Sequence, residues 1–118
     1  MTVTVTAAAA DYRAESARDL ASAVLTEFRT ARRAQGDRTI VTAATRTAAD
    51  HLDDLRVLCG ELQEMHDNAP TREAEQAIAQ ALHAAQRAHA RALRVQSRII
   101  DLSTSLSNHP AGRRADTT

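Results

Sequence analysis

Four of the five histidines, one cysteine and a crowd of arginines are the residues of this sequence that could do chemistry. His51, His66, His83 and His89 fall on two long helical stretches, where histidines can hold a metal. Carboxylate-bridged metal bundles place a glutamate three residues before each such histidine, so that both ligands share one helix face. Here that position holds Gln63, Gln80 and Gln86, and Ala48 before His51. Gln is a poor ligand, so no metal site is expected. His51 and His89 could meet across a helical hairpin with Asp50 nearby, which would make a pair whose charge responds to pH. The plainer expectation is two histidines at the seam edge, each with one nitrogen in water. Cys59 lies among Leu55, Leu58 and Leu62. Such a cysteine behaves as a small hydrophobe, because a nucleophile needs an electropositive, accessible setting. As the single cysteine it excludes an intramolecular disulfide and a Cys-based zinc site.

No G-x-S-x-G, P-loop, G-x-G-x-x-G or H-E-x-x-H pattern is present, and three glycines cannot build a glycine-rich phosphate loop. The residues therefore predict no catalytic side chain, no cofactor and no small-molecule substrate. All fifteen basic residues are arginine, which fits a GC-rich coding bias, and fifteen acids balance them to a formal net charge of zero. A neutral chain is not coated for non-specific binding to nucleic acid or membrane. A local basic patch is still open to it.

The elements that must carry these residues are helices. Ala, Leu, Arg, Gln and Glu dominate, aromatics are limited to Tyr12 and Phe28, and Gly and Pro are scarce. A length of 118 residues gives one domain. The first helix is expected over 8–35, starting near Thr6 or Asp11, with an apolar stripe of Ala17, Leu20, Ala21, Val24, Phe28 and Ala31. Gly36 reads as its C′ residue, and Asp37 as the cap of the next helix. The second helix, 38–69, repeats in sevens: Val41, Ala48, Leu55, Leu62 and Ala69 share one position. Ala44, His51, Leu58 and Met65 lie three residues on, and Thr45, Leu52, Cys59 and His66 lie four on. Asn68 and Pro70 end it, and Thr71 caps the third, 71–107. That helix keeps the period through Ile78, Ala85, Ala92, Ile99 and Leu106, with Ala81, Ala88, Val95 and Leu102 beside them. Leu93 and Ile100 widen its apolar arc, which predicts a second neighbour there: the Leu25–Phe28 end of the first helix.

The fold class that follows is all-α: an antiparallel three-helix bundle in which a long hairpin, 38–69 and 71–107, packs with heptad spacing against the helix 8–35. Residues 1–6 are expected to be a mobile arm, 7–108 the helical domain and 109–118 a disordered tail. The opening MTVTVTAAAA lacks a basic segment and a sustained apolar run, so no secretory leader is expected. No apolar run approaches membrane-spanning length, which places the expected location in the cytoplasm.

Folding the pattern sorts charge by end. One end gathers Arg29, Arg32, Arg33, Arg38, Arg46, Arg94 and Arg98 against Glu27, Asp37 and Asp101. The other gathers eleven acids against Arg13, Arg18, Arg56, Arg72, Arg87 and Arg91. The hairpin is expected to bring Asp50 and Asp54 near Arg87 and Arg91. Alanine at so many seam positions buries little area, so the core is thin and a second copy would relieve it. In size and helicity the chain is similar to the helical hairpins of the WXG100 type. Those carry Trp-x-Gly in the inter-helix turn, whereas this chain has no Trp and its turns read AQGDR and DNAPT, so no family is assigned.

The expected function is protein–protein interaction, as an accessory protein or a homo-oligomer. The expected contact surfaces are the arginine-rich end at Arg29, Arg32, Arg33, Arg46, Arg94 and Arg98 and the apolar edge at Leu93 and Ile100. The alternative is a regulator that binds nucleic acid or a phosphorylated ligand through those same arginines. It lacks the aromatics that nucleic-acid sites usually supply.

Overall fold

The computed structural model describes the backbone of residues 2–108 and the side chains of residues 5–105. Three helices run in chain order: α1 (Thr2–Arg33), α2 (Arg38–Asp67) and α3 (Arg72–Asn108). Each packs on both others, and among the described residues there is no strand. The molecule is an all-α three-helix bundle, a rod of 70 × 17 × 15 Å. Short turns at 34–37 and 68–71 make sequential helices antiparallel, so α1 and α3 run parallel with a groove between them.

The caps follow the sequence. Asp37 Oδ1 accepts from the backbone N–H of Thr39 at 3.0 Å and of Ile40 at 3.3 Å, satisfying two of the donors that a helix start leaves open. Thr71 Oγ1 accepts from Ala74 N at 3.1 Å in the same role. Two expectations need correction. The helix α1 starts at Thr2, six residues before the expected boundary, so residues 2–6 continue the alanine-rich first helix instead of forming an arm. Four alanines in a row at 7–10 propagate a helix well, and they carry the weaker Thr and Val formers with them. Gly36 has no positive φ. The turn closes instead through Ala34 N to Thr30 O (3.1 Å) and Asp37 N to Ala34 O (2.8 Å), so no left-handed residue is required. The expected tail, 109–118, lies outside the described residues.

The heptad positions are the buried ones. Val41, Ala44, Ala48, Leu52, Leu55 and Leu62 of α2 are buried, as are Ile78, Ala81, Leu82, Ala85, Ala88, Ala92 and Ile99 of α3. From α1 come Ala10, Ala14, Ala17, Ala21, Val24 and Ala31. Leu20, Phe28, Leu58, Cys59, Met65 and Val95 close the core at its edges. A second small cluster, Ala31, Val41 and Ala44 with Leu102 against it, ties the three helices together at the far end. Twelve of the twenty buried apolar residues among those described are alanine. Alanine lets helix backbones approach closely and buries little area per residue, which produces a long, slim rod.

Candidate functional site

The strongest chemical asymmetry of the surface begins on α3. Between Glu75 and Asp101 this helix carries no acid, and it carries Arg87, Arg91, Arg94 and Arg98. Those four step by four, three and four residues, so they stand along one helix face over about 17 Å at 1.5 Å rise per residue. The phase of the face is fixed by packing. Arg87 and Arg91 line a small hollow of about 130 Å³ together with Ala84, Ala88 and, from α1, Arg18. The arginine face therefore borders the α1/α3 groove. On the α1 side, Arg29 lies three helical turns beyond Arg18 on the same edge, and Arg32 follows. The Arg32 guanidinium sits 5.4 Å from the centre of the Phe28 ring, whose body packs on the core, so this arginine is held over an aromatic face.

None of Arg18, Arg87, Arg91, Arg94 and Arg98 is paired with a carboxylate among the described residues. The expected pairing of Asp50 and Asp54 with Arg87 and Arg91 is not formed. The reason is helical phase. On α3 the side facing α2 is occupied by His89, Leu93 and Gln96, and Arg87 and Arg91 are rotated away from it toward α1. Among the described residues, an ion pair crosses from α1 to α2 at Arg13 Nε to Glu61 Oε1, 2.9 Å. Arg56 pairs with Asp53 along α2. His66 stands between Asp67 (3.9 Å) and Glu75 (4.0 Å), joining the end of α2 to the start of α3.

Further toward the N-terminus of α1 the same groove changes sign. A hollow of about 560 Å³ is lined by Ala8, Asp11, Tyr12, Ala14, Glu15 and Arg18 from α1 and by Gln80, Ala81 and Ala84 from α3. Its floor is alanine and its rim acidic, with Tyr12 exposed. A third hollow, of about 420 Å³, lies between α2 and α3 and is lined by Ala49, Leu52, Asp53, Arg56, His89, Leu93 and Gln96. His51 is not among its residues, so this hollow does not join the two histidines. Gln96 Oε1 is closed off from solvent without a hydrogen-bond partner.

The predicted surface residues are all accessible. Arg29, Arg32, Arg33, Arg46, Arg94 and Arg98 are exposed. Arg46 is contributed by α2, whereas Arg29, Arg94 and Arg98 belong to the two helices that flank the α1/α3 groove. Leu93 is 49% and Ile100 46% exposed. The expected contact of these two with the first helix is therefore corrected: they stand on the α2 side of α3, and Ile99, fully buried one residue away, fills the inner position. Sequence reasoning placed Arg18, Arg87 and Arg91 at the acidic end and missed the face they form. The four-three-four spacing of 87, 91, 94 and 98 was a visible signal for four of its five arginines; the addition of Arg18 depends on how α1 sits against α3.

Cys59 is half-buried against the core, and burial pushes its thiol pKa above the ordinary value. Desolvation disfavours the thiolate, so the residue packs more readily than it reacts. Among the described residues no group of three or more His, Cys, Asp or Glu side chains is arranged to hold a metal ion, and no helix is long and apolar enough to cross a membrane. The fold and surface thus define a slim, alanine-built helical bundle with an arginine-bordered groove. The chain matches no protein-family model, and no curated protein or solved structure is significantly similar to it.

Proposed function

We propose that this protein works by binding protein, most simply another copy of itself, as a structural or accessory component without a catalytic step. The observation that supports this reading is the mismatch between a core built mainly of alanine and large apolar side chains left outside it. Leu93, Ile100, Val57 and Ile40 are 49%, 46%, 57% and 39% exposed, while most of the buried positions hold a methyl group. Covering such residues with a partner removes apolar area that the monomer cannot bury, at about 25 cal/mol per Å². The contact surfaces that fit are the arginine face and the Leu93–Ile100 edge.

Light scattering on a sizing column tests the reading directly. The expected result is an assembly larger than the monomer at micromolar concentration. Leu93→Asp with Ile100→Asp is expected to weaken it while leaving the thermal midpoint of the bundle within the small range typical of surface changes. A wild-type protein that is monomeric at every concentration, and captures no partner, would sink the proposal.

The second reading is a regulator that binds a nucleic acid or a phosphorylated ligand through the arginines. Its support is the acid-free stretch of α3 with four arginines on one face, since guanidinium pairs bidentately with phosphate. Binding of this kind weakens steeply with added salt as counterions re-associate. A nucleic-acid or phosphorylated probe that does not bind even at low salt, where such contacts are strongest, would exclude it.

A further inference from the structure

We propose that the arginine face of the α1/α3 groove receives the acidic outer face of α2 from a second copy of this chain, so that copies join head to tail. This rests on the self-associating reading above and names its partner surface. The outer face of α2 is as one-sided as the face on α3. Asp50, Asp54 and Glu64 are exposed there, and no basic group pairs with them among the described residues. With Val57 between them they step by four, three and seven residues, which keeps them on one side of the helix over about 21 Å. The arginine row, with steps of four, three and four, shares the first step of four with the acids and is opposite in sign. Both rows lack partners among the described residues, and the formal net charge of the whole chain is zero. Charge that is balanced overall but segregated by face is what a self-complementary surface requires.

The shapes agree with the charges. Glu61, in the same row, pairs with Arg13 of α1, so the row runs along the α1 edge of the outer side of α2, around the rod from the α1/α3 groove. The groove floor at the arginines is Ala84 and Ala88, small enough for a fourth helix to lie close. Val57, 57% exposed amid the acids, is the side chain that would reach this floor. A surface and its complement on different faces of one molecule make a heterologous contact, which repeats from copy to copy instead of closing as a two-fold dimer. A nucleic-acid strand fits the groove less well. Its path would run from the arginines onto Asp11 and Glu15, and Phe28, the aromatic nearest the arginines, packs on the core beneath Arg32.

The test uses two charge reversals that leave every buried residue in place: R87E with R91E and R94E, and separately D50R with D54R. Wild type is expected to show a mass that rises with concentration at low salt and falls to the monomer near ~0.5 M NaCl, where screening acts over only a few ångströms. Each variant alone is expected to be monomeric. Their equimolar mixture is expected to assemble again, to twice the monomer mass or more, because each retains the face that the other lacks and the two reversed faces are themselves opposite in sign. That mixed species also shows that both variants fold. If both variants assemble as wild type does, or if their mixture stays monomeric, the proposal is overturned. If assembly then disappears on L93D with I100D, self-association stands and only this surface assignment fails. A wild type that is monomeric throughout, with a single-stranded DNA probe bound and then lost in the arginine variant, would overturn both in favour of nucleic acid.

Discussion

The first helix and the hairpin that follows it are built from different materials. Among the described residues of α1, Val24 is the one buried side chain larger than alanine. The hairpin contributes Val41, Leu52, Leu55 and Leu62 from α2 and Ile78, Leu82 and Ile99 from α3. Large side chains hold α2 and α3 together through area removed from water. Alanine methyl groups, with Val24 and the half-buried Leu20 and Phe28, hold α1 on them. The difference shows that one bundle can combine two modes of packing, with the tolerance to substitution differing between them: the hairpin is sensitive to lost volume and α1 to added volume.

Removing volume from the hairpin should give the largest effect. Leu62 is fully buried, and Leu62→Ala is expected to cost about 2–5 kcal/mol, read as a lower denaturant midpoint with an unchanged slope. A loss under about 1 kcal/mol would mean the site collapses around the deletion and the comparison with α1 fails. Adding volume to α1 should come next. Ala17 is fully buried, and Ala17→Leu is expected to cost about 1–3 kcal/mol by forcing α1 away from the hairpin. A stabilised Ala17→Leu variant would reveal unused space beneath α1. The smallest effect is a gain outside both interfaces. Gly60 lies in the middle of α2, exposed, with nothing within 4 Å of where a Cβ would stand. Gly60→Ala is expected to stabilise by about 0.5–1 kcal/mol, because glycine loses more backbone freedom on folding than alanine does. A rise in the thermal midpoint of a few degrees would report it, and no rise would mean that helix propensity in α2 does not limit stability.

Legibility differed in the same way between fold and site. The seven-residue repeats at Val41, Ala48, Leu55 and Leu62 and at Ile78, Ala85, Ala92 and Ile99 read directly onto buried positions, because burial follows the period of the helix. Asp37 and Thr71 read as caps because their side chains act within three residues of themselves. Gly36 did not read correctly. Its type permits a left-handed turn without requiring one, and the backbone closes another way. The N-terminal boundary was missed because Thr and Val at 2–5 are weak helix formers on their own, while helix propagation depends on the alanines that follow.

The candidate site was legible only along single helices. The spacing of Arg87, Arg91, Arg94 and Arg98 lies in the sequence, as does the absence of acids around them. Which neighbour that face meets does not. Setting the arginines against Asp50 and Asp54, as the hairpin alone suggested, would have required turning both helices, because α2 presents Ala49, Leu52, Asp53 and Arg56 to the α2/α3 hollow. Packing turned Ala84 and Ala88 toward α1 instead, since alanines suit the close approach of that helix, and the arginines beside them came to border the α1/α3 groove with Arg18. Periodicity and capping, which act within a few residues, were fixed by the sequence alone. The facing of charged rows across helices was decided by the tertiary structure, because it depends on how side chains of three separate segments fill one shared core.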